Sequence, residues 1–521
     1  MHTSEFLNIS ASIVPERTAV VFENRKLSFE QLQENVNRLA NGLSNIGINA
    51  GDRIAIVDVN TPELIETYLA TTQLDAIFVP LNYRAKAEEL SYMLLTCEPS
   101  AILVGSRYQG LVDSVVCSKG IDAHMIAIAN PRKSWYLYSQ LLDESSQIAP
   151  PAPSGTDSDI TLLLFTAGTT GRPKAVMLNH DSFSSYMLSS VPPADPDNEE
   201  RNILSMPLYH IAGMQGALAS IFGGRTLLLM RQFDPEAWMR LAQNEQADRS
   251  GLVPTMIKQI LDHPNFSSYD LSSLKVITYG AAPMPINVIK RAIAEFPNAQ
   301  FINAFGQTET ASTITMLSPE DHMLIGTPHE IKIKLRRLTS VGKPLDDIEV
   351  AVLDENGAQL PPGTIGEVAA RGPRVMTGYW NDSKATRSIF RDGWLITGDL
   401  GYQDKDGYLY LSGRSKDFIK RGGEMISPEE IEQTIIEHPS VDEAAVIGIA
   451  DPQWGERVRA VVALKEGLSC VESELIKHCH QRLASFKRPE SVVFVQQLPR
   501  NPLGKVLKRV LREQYGYPID S

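Results

Sequence analysis

The chain has 521 residues, more than a single compact core usually holds, so two or more domains are expected. Apolar residues make up 43% and charged residues 21%, the ordinary composition of a globular protein. The formal net charge of -13 disfavours general nucleic-acid binding, which usually needs a basic surface. A small anionic ligand in one basic cleft is still compatible with this charge.

Cysteine usage and the absence of long apolar runs indicate a cytoplasmic protein. The four cysteines have no paired spacing, which favours reduced thiols. His478, Cys479 and His480 are adjacent, but this spacing is too tight for the usual tetrahedral metal ligands, so a helix surface is favoured. We find no secretory signal and no integral membrane segment. Peripheral membrane contact stays open, as does the choice between a monomer and a homodimer.

Helical and strand patterns alternate through the first half of the chain. Ser28 is predicted to cap an amphipathic helix, which is followed by a strand at 54–57 and a helix at 62–70. This alternation favours an α/β fold with largely parallel strands. Further strands are predicted at residues 76–81, 101–104, 161–165, 226–229, 276–279 and 348–353.

A second organisation begins after Gly413, in a polar turn. Pro428 and the acids that follow it are placed where a helix N-terminus favours them. Strands at 444–449 and 458–464 and a helix from about 471 to 483 complete a small α+β domain of common size. We therefore predict a large N-terminal domain of layered α/β subdomains (1–413), a connecting segment (414–417) and a C-terminal domain (418–521).

An apolar strand at 161–165 runs into a loop rich in small and hydroxylated residues. The loop consists of Thr166, Ala167, Gly168, Thr169, Thr170, Gly171, Arg172, Pro173 and Lys174. Glycines let backbone N–H groups approach phosphate oxygens, threonines add donors, and the final lysine adds positive charge. A P-loop would need Lys-Ser/Thr directly after the last glycine, so that motif is excluded. A hairpin over the phosphates is predicted, and a simple surface turn is the alternative.

The loop is followed, in order, by a series of further motifs. They are Phe305-Gly306-Gln307-Thr308-Glu309, Tyr379-Trp380, Thr397-Gly398-Asp399, Gly413-Arg414-Ser415-Lys416-Asp417, Gly422-Gly423-Glu424, Pro428-x-Glu430-Ile431-Glu432 and Asn501-Pro502-Leu503-Gly504-Lys505. Together they resemble the adenylate-forming superfamily of AMP-forming acyl-CoA synthetases, aryl-CoA ligases, carrier-loading adenylation domains and luciferases. The resemblance runs from the Ser28 region to Lys505. It implies a ligase that uses ATP, Mg²⁺ and coenzyme A to activate a small carboxylic acid.

The resemblance also implies roles for individual residues around the nucleotide. Phe305 would stack on the adenine, Asp399 would accept from the ribose hydroxyls, and Glu309 would bind Mg²⁺ through a hard carboxylate oxygen. An ordinary surface ion pair is the alternative for Asp399 and Arg414. Besides the loop and Lys505, the implied nucleotide-binding residues are Gly280, Ala281, Ala282, Asn303, Ala304, Phe305, Gly306, Gln307, Thr308, Asp399 and Arg414.

Lys505 is the principal predicted catalytic residue, together with Glu309, Thr166 and Lys174. A carboxylate that attacks ATP meets like charge, and an ammonium at the α-phosphate offsets that repulsion. The alternative is one more lysine in a basic C-terminal stretch. The resemblance further implies that the C-terminal domain rotates about a hinge at Lys416. Residues Lys416, Gly422, Gly423 and Glu424 would then bind coenzyme A.

The predicted acyl pocket is mostly apolar and shows no clear counter-charge. This favours an aliphatic or aryl monocarboxylate over an amino acid, whose ammonium needs an acidic partner. His210 is implied to border the carboxylate, with a satisfied core histidine as the alternative. The predicted acyl-pocket residues are His210, Gly213, Met214, Tyr279, Gly280, Ala304 and Phe305.

The sequence departs from the family pattern at three positions. Ala167 stands where serine is usual, Ala175 where glycine is frequent, and Phe305 where tyrosine is frequent. None of them removes a charged catalytic group, so we expect weaker binding of ATP but no loss of the chemistry. Two alternatives to a CoA ligase stay open: an adenylation enzyme that loads a carrier protein, and a degenerate nucleotide-binding regulator. Retention of Glu309, Asp399, Arg414 and Lys505 argues against the second.

Overall fold

The computed structural model describes residues 1–166, 172–414, 417–421, 424–452, 454–501 and 504–516, with only the backbone of Arg414, Glu424 and Met425. Three sheets build a large N-terminal domain, and a fourth sheet builds a smaller C-terminal domain. Helices cover these sheets, so the predicted α/β fold class is confirmed.

The strands and helices below are numbered in chain order over the described residues. The strands are β1 (Thr18–Phe22), β2 (Arg25–Ser28), β3 (Arg53–Val57), β4 (Ile77–Pro80), β5 (Ala101–Val104), β6 (His124–Ala127), β7 (Tyr136–Leu137), β8 (Ile160–Thr166), β9 (Lys174–Asn179), β10 (Arg201–Leu204), β11 (Thr226–Leu229), β12 (Arg249–Leu252), β13 (Val276–Gly280), β14 (Gln300–Gln307), β15 (Ser312–Leu317), β16 (Lys343–Pro344), β17 (Glu349–Leu353), β18 (Gly366–Arg371), β19 (Gly378–Tyr379), β20 (Phe390–Arg391), β21 (Trp394–Gln403), β22 (Leu409–Arg414), β23 (Ile419–Arg421), β24 (Glu424–Ile426), β25 (Val441–Asp451), β26 (Gly455–Leu464) and β27 (Ser491–Val495). The helices are α1 (Glu5–Ile13), α2 (Phe29–Asn45), α3 (Pro62–Gln73), α4 (Ala87–Cys97), α5 (Gln109–Lys119), α6 (Tyr138–Asp143), α7 (His180–Ser190), α8 (Ile211–Phe222), α9 (Pro235–Asn244), α10 (Pro254–Leu261), α11 (Ile286–Glu295), α12 (Pro319–His322), α13 (Pro328–Arg337), α14 (Ser383–Ile389), α15 (Pro428–Ile436), α16 (Glu472–His480) and α17 (Lys508–Tyr515).

The first sheet has the strand order β19-β9-β8-β4-β3-β5-β6-β7. Its central strands β3, β4 and β5 are parallel, and apart from Arg53 their residues are buried. Strands of this kind are covered by helices on both faces, which explains their continuous apolar runs. β9 returns antiparallel to β8 with Thr166 opposite Lys174. The two ends of the predicted phosphate loop therefore lie side by side.

The second sheet has the strand order β16-β15-β14-β13-β12-β10-β11-β1-β2. β12, β13 and β14 run parallel, and Gly280 at the end of β13 lies opposite Ala304 in β14. A Cβ atom on Gly280 would stand 2.1 Å from the Ala304 carbonyl oxygen, so a side chain there would push the strands apart. The carboxyl ends of such strands are where α/β sheets usually bind ligands.

The third sheet differs from the prediction of largely parallel strands. Its strands β17, β18, β21 and β20 are antiparallel neighbours, and β22 pairs antiparallel with β21. Arg374 in this part of the chain is 0% exposed, forms an ion pair with Asp347, and donates to the Thr313 carbonyl of β15. This buried arginine therefore joins the third sheet to the edge of the second.

The C-terminal domain is a sheet of order β24-β23-β26-β25, with β27 parallel to β26. The predicted strands at 444–449 and 458–464 are confirmed, and the helix predicted from about 471 to 483 is the shorter α16. Cys479 lies on α16 with its side chain buried, not on the helix surface. Over the described residues there is no cluster of three potential metal ligands, and the four cysteines are free.

Local sequence signals account for the start of α2. The Ser28 side chain accepts from the Gln31 backbone N–H and the Gln31 side chain accepts from the Ser28 N–H, which together form a capping box. The predicted amphipathic helix is confirmed, and its leucines are buried. β22 ends at Arg414 and the next described strand, β23, begins at Ile419 in another sheet. In the part of the chain that is described, no helix has the length and apolar content required to cross a membrane.

Candidate active site

Three charged or polar side chains meet where β9, β19 and the end of β14 come together. The Lys174 Nζ lies 4.8 Å from the centre of the Tyr379 ring, and the Tyr379 hydroxyl donates to Glu309 Oε1 at 2.9 Å. Thr166 joins the group, because its hydroxyl donates to the Lys174 carbonyl at 3.4 Å. We call Lys174, Tyr379 and Glu309 the phosphate cluster. The structure thus brings together Thr166, Lys174 and Glu309, three residues that the sequence predicted to be catalytic.

Backbone pairing fixes Tyr379 within this cluster. Tyr379 lies opposite Val176 in the β19–β9 pair, and its N–H donates to the Thr386 hydroxyl at 2.9 Å. The Met376 N–H donates to the Glu309 carbonyl at 2.9 Å, so the same segment also holds the turn that carries the carboxylate. The sequence analysis noted Tyr379 in a motif but gave it no role. The only sequence signal was its place in that motif, since its partners lie about 70 and 200 positions away.

A tight turn after β14 aims Glu309 at the cluster. The Gln307 N–H donates to the Thr310 hydroxyl at 3.1 Å across a short turn at Thr308–Thr310. A Cβ atom on Gly306 would stand 1.5 Å from the Ser312 carbonyl oxygen, so glycine is required for the chain to return along β15. Of the predicted adenine-side residues in this strand, Asn303 is buried, while Ala304 and Phe305 are half-buried.

The two predicted ribose contacts are cross-strand neighbours. Asp399 in β21 lies opposite Arg414 in β22, and the Asp399 carboxylate is 6% exposed. The Asp399 N–H is held by the Thr397 hydroxyl at 3.1 Å. Phe305 and Leu411 of β22 pack against the same hydrophobic cluster, which brings β22 close to β14. The Arg414 side chain lies outside the described residues. The pair is therefore compatible with both interpretations, a ribose-binding site and an ordinary ion pair.

His210 lies directly before α8; the residue is half-buried, and its Nε2 atom is buried. Its ring centre is 4.3 Å from that of Tyr209, and its Nε2 has no hydrogen-bond partner among the described residues. Burial lowers the pKa of His210 to about 4, and the positive charge of Arg84 acts in the same direction. The imidazole is therefore neutral at physiological pH. A neutral ring with an unpaired buried nitrogen can hydrogen-bond a substrate but is not a satisfied core histidine.

Of the other predicted acyl-pocket residues, Gly213 allows close backbone packing, and Met214 and Tyr279 are core side chains. A Cβ atom on Gly213 would stand 2.2 Å from the Pro207 carbonyl oxygen, so this glycine permits close packing of α8. The side chains of Met214 and Tyr279 are 2% and 1% exposed, and the Tyr279 hydroxyl is 2.9 Å from His322 Nε2. Both side chains belong to the hydrophobic cores. Their contribution to an acyl pocket stays a prediction.

The sequence placed Tyr209 beside His210 in the predicted acyl pocket, but it did not predict the two further tyrosines that join it, Tyr83 and Tyr108. The Tyr83 ring contacts those of Tyr209 and Tyr108, with ring centres 5.4 and 5.9 Å apart. Burial raises the pKa of Tyr209, whose hydroxyl has no hydrogen-bond partner in the described part of the chain. Tyr83 and Tyr108 come from segments that approach Tyr209 only in the folded chain, so no local pattern marks them.

The chain around Lys505 in the C-terminal domain, which we call the Lys505 hairpin because Arg500 pairs antiparallel with Val506, lies against helix α10 of the large domain. The Lys505 N–H donates to Asn501 Oδ1 at 2.8 Å, and the Asn501 N–H donates to the Lys505 carbonyl at 2.9 Å. Gly504 has a φ of +74°, and a Cβ atom there would stand 2.3 Å from Thr255 Oγ1 at the start of α10. Because α10 follows β12, the exposed Lys505 is presented near the sheet edge where β13 ends at Gly280.

Several predicted site residues lie outside the described residues. These are Ala167, Gly168, Thr169, Thr170 and Gly171 of the phosphate loop, together with Lys416, Gly422 and Gly423. Ala281 and Ala282 are described directly after Gly280, and Ala281 has a φ of +66°. Glu424 is described by its backbone alone, as the first residue of β24. The roles of all these residues stay predictions.

Comparison with known proteins identifies the family. The sequence profile of the AMP-binding enzyme family matches residues 8–380, and that of the AMP-binding enzyme C-terminal domain matches residues 430–505. The indoleacetate–CoA ligase of Aromatoleum aromaticum is 32% identical over 514 residues, which cover 98% of each chain. A feruloyl-CoA synthase of Amycolatopsis sp is 34% identical over 507 residues, which cover 97% of each chain.

The solved structures agree with the sequence comparisons. The crystal structure of ATP-bound MatB from Rhodopseudomonas palustris superposes with a TM-score of 0.87 at 29% identity, covering 99% of each chain. The similarity thus includes both the large domain with the phosphate cluster and the small domain with Lys505. The chain belongs to the AMP-binding enzyme family, as a member of its AMP-forming acyl-CoA ligases.

Proposed function

We propose that this protein activates a fatty or aryl monocarboxylic acid as its acyl-AMP and then transfers the acyl group to coenzyme A. The observation that carries the proposal is the phosphate cluster, in which an ammonium and a carboxylate face one buried tyrosine. An ammonium suits phosphate oxygens, and a carboxylate suits the cation that accompanies them. Free thiols on all four cysteines fit the predicted cytoplasmic location.

The residues present fit a magnesium ion that is carried largely by the nucleotide. Glu309 takes part in no ion pair among the described residues, and one of its oxygens accepts from Tyr379. Mg²⁺ usually keeps waters and phosphate oxygens and takes one or two protein carboxylates, which agrees with the lack of a larger ligand cluster in the described chain. Bound there, the ion would neutralise charge on the β- and γ-phosphates.

In the proposed first half-reaction, a carboxylate oxygen of the acid attacks the α-phosphorus of ATP. The bond from that phosphorus to the bridging oxygen breaks, and pyrophosphate leaves. Lys174 would hold the leaving phosphates, and Lys505 would stabilise negative charge on the α-phosphoryl oxygens. His210, neutral and with a buried Nε2, would position the acid by a hydrogen bond.

The substrate class is supported by the surroundings of His210. Tyr83, Tyr108 and Tyr209 give this region an aromatic wall, which favours an apolar or aryl group beside the carboxylate. The relatives named above act on indoleacetate and on ferulate, both of which are aryl acids. We therefore place aryl and aryl-alkyl monocarboxylates first among the candidates and medium or long fatty acids second.

In the proposed second half-reaction, the thiol sulfur of coenzyme A attacks the acyl carbon of the acyl-AMP. The thioester forms, AMP leaves, and the thiol proton passes to solvent. This step requires different neighbours from the first, so we propose that the C-terminal domain rotates about residues 414–417 between the steps. A phosphopantetheinyl carrier protein is the alternative acceptor.

A panel of acids scored for pyrophosphate release, with and without acceptor, tests the proposal. We expect ATP-dependent pyrophosphate release with an aryl acid and thioester only when coenzyme A is added. Transfer to a phosphopantetheinyl carrier, with none to coenzyme A, would replace the CoA ligase by a carrier-loading enzyme. Absence of pyrophosphate release across the panel would contradict the adenylation step.

The Glu309→Gln variant ties the activity to the phosphate cluster. It should lower pyrophosphate release by about 100-fold because it removes the only cluster carboxylate, a loss typical of an electrostatic contact made in the transition state. Glu355→Gln, at an exposed carboxylate of the loop after β17, is the matched control and should retain activity. Equal activity of Glu309→Gln and the control would remove the cluster from the mechanism.

A further inference from the structure

Helix α10 of the large domain is contacted by the C-terminal domain at two points. At its start, Thr255 meets Gly504 of the Lys505 hairpin, where a Cβ atom would stand 2.3 Å from the threonine hydroxyl. One turn later, Lys258 Nζ lies 3.0 Å from Asp442 Oδ1 at the start of β25. Both contacts lie on one face of α10, because residues three apart on a helix are neighbours.

The C-terminal side of this interface is connected internally. Asp442 is followed by Glu443, whose carboxylate lies 2.6 Å from Arg500 Nη2, and Arg500 also donates to the Gly504 carbonyl. The start of β25 therefore holds Asp442 and the Lys505 hairpin in one framework. A shift of Asp442 relative to α10 would carry the hairpin with it.

Lys258 has a second possible partner on its own helix. Asp262 lies 3.3 Å from Lys258 Nζ, but Asp262 also pairs with Arg291 at 2.5 Å. Burial works to lower the pKa of Lys258, and the hydrogen bond and charge of Asp442 outweigh it, with Asp262 contributing less. Among the described residues, Asp442 forms an ion pair with Lys258 alone. The contact between the domains is thus the principal one for Lys258.

We propose that the Lys258–Asp442 ion pair is a positioning contact, which holds the C-terminal domain where Lys505 serves adenylation. The inference rests on the two half-reactions of the proposed function. Both side chains are about one-third exposed, at 37% and 33%. An ion pair of this exposure changes an equilibrium by a factor of about two to five, which suits a contact that must open in every catalytic cycle.

Asp442→Asn tests this directly, and Asp262→Asn is the matched control on the same lysine. In single turnover at low salt, Asp442→Asn should slow pyrophosphate release by about two- to fivefold. Thioester formation from supplied acyl-AMP should stay unchanged or become faster. The exchanged pair Lys258→Asp with Asp442→Lys should restore most of the adenylation rate. The effect should fade at about 1 M salt, where exposed charges are screened.

Equal slowing of both half-reactions by Asp442→Asn would overturn the proposal, as would an equal effect of Asp262→Asn. Failure of the exchanged pair to recover adenylation, in protein that melts like the wild type, would do the same. Pyrophosphate release by the wild type tests the proposed function separately, because the inference is read from the ratio between variants.

A second measurement does not depend on activity. The sequence of the connecting segment contains Arg414 and Lys416, after which trypsin cleaves, and we expect release of the C-terminal domain to speed this cleavage. Asp442→Asn should therefore be cut about two to five times faster than the wild type in the absence of substrates, while Asp262→Asn is cut at the wild-type rate. Identical cleavage of all three proteins would contradict a holding role.

Discussion

The phosphate cluster and the face of α10 that meets the C-terminal domain differ in how they are held. Tyr379 is buried, paired through its backbone to β9, and hydrogen-bonded to Glu309. Lys258 and Asp442 are one-third exposed and meet across two domains through a single ion pair. The first arrangement is fixed by folding, whereas the second can be broken at low free-energy cost. The proposed nucleotide-binding cluster is therefore built into the fold, whereas Lys505, the proposed catalytic lysine, would be held in place by a reversible contact.

The largest effect is expected at Lys505, which the Lys258–Asp442 contact is proposed to hold in place. Lys505→Ala should lower pyrophosphate release by about 100- to 1000-fold, because it removes the charge that we propose stabilises the α-phosphoryl oxygens in the transition state. Thioester formation from supplied acyl-AMP should be retained. Single-turnover assays of the two steps measure this, with Lys405→Ala, at an exposed turn of the large domain, as the control.

Lys416→Pro should show the reverse bias, since it restricts the segment about which the small domain is proposed to turn. Equal impairment of both half-reactions by Lys505→Ala and by Lys416→Pro would contradict the proposal that a fixed phosphate cluster works with a C-terminal domain that moves between the two steps. A nucleotide-bound structure that keeps the Lys505 ammonium far from the α-phosphate in every domain arrangement would also contradict it.

Arg374 supports the strand next to the turn that carries Glu309, so its substitution should weaken the structure around the phosphate cluster. This arginine is 0% exposed, pairs with Asp347, and holds Thr313, which lies opposite Gly306. Arg374→Met should lower the free energy of unfolding by about 3 kcal/mol, because Asp347 is left as a largely buried and unpaired charge. Denaturant unfolding measures this. Arg371→Met, in an exposed pair with Glu349, is the control and should change stability little.

The same pair predicts a pH dependence. Burial works to raise the pKa of Asp347, but the hydrogen bonds and charge of Arg374 lower it below its ordinary value of 3.8. The stabilisation is therefore present above pH 3.8, and it is lost as the pH falls through the lower pKa that Asp347 has in the folded protein. Arg374→Met should flatten the decrease of stability in acid. A decrease as steep as that of the wild type would mean that other carboxylates cause it.

A smaller effect is expected at Tyr379, whose hydroxyl orients Glu309. Tyr379→Phe should raise the Mg²⁺ concentration for half-maximal pyrophosphate release by about tenfold, the usual loss when a partner of a metal ligand is removed. The rate at saturating Mg²⁺ should change less. Tyr136→Phe, at an exposed tyrosine of β7, is the matched control. An unchanged Mg²⁺ dependence would separate Tyr379 from the cation site.

The sequence predicted parts of the fold and parts of the phosphate cluster, but not all of either. β3, β4 and β8 were predictable because apolar runs mark strands that are buried on both faces. The antiparallel third sheet was not predicted, since the direction of pairing depends on connections between strands and not on composition. Tyr379 and the Lys258–Asp442 pair were missed for a related reason. Tyr379 lies about 70 positions from Glu309, and Lys258 lies about 180 positions from Asp442. A single charge on a helix leaves no periodic signal in the sequence.

The smallest effect is expected at Ala167, a loop position outside the described residues where the family usually has serine. Ala167→Ser should restore one hydroxyl donor toward the phosphates and lower the apparent KM for ATP by about threefold, within the range of one hydrogen bond. Because the hydroxyl would contact ground state and transition state alike, the rate at saturating ATP should stay the same. Ala358→Ser, at an exposed turn, controls for a general effect of serine. An unchanged KM would contradict the expectation that the missing hydroxyl weakens the binding of ATP.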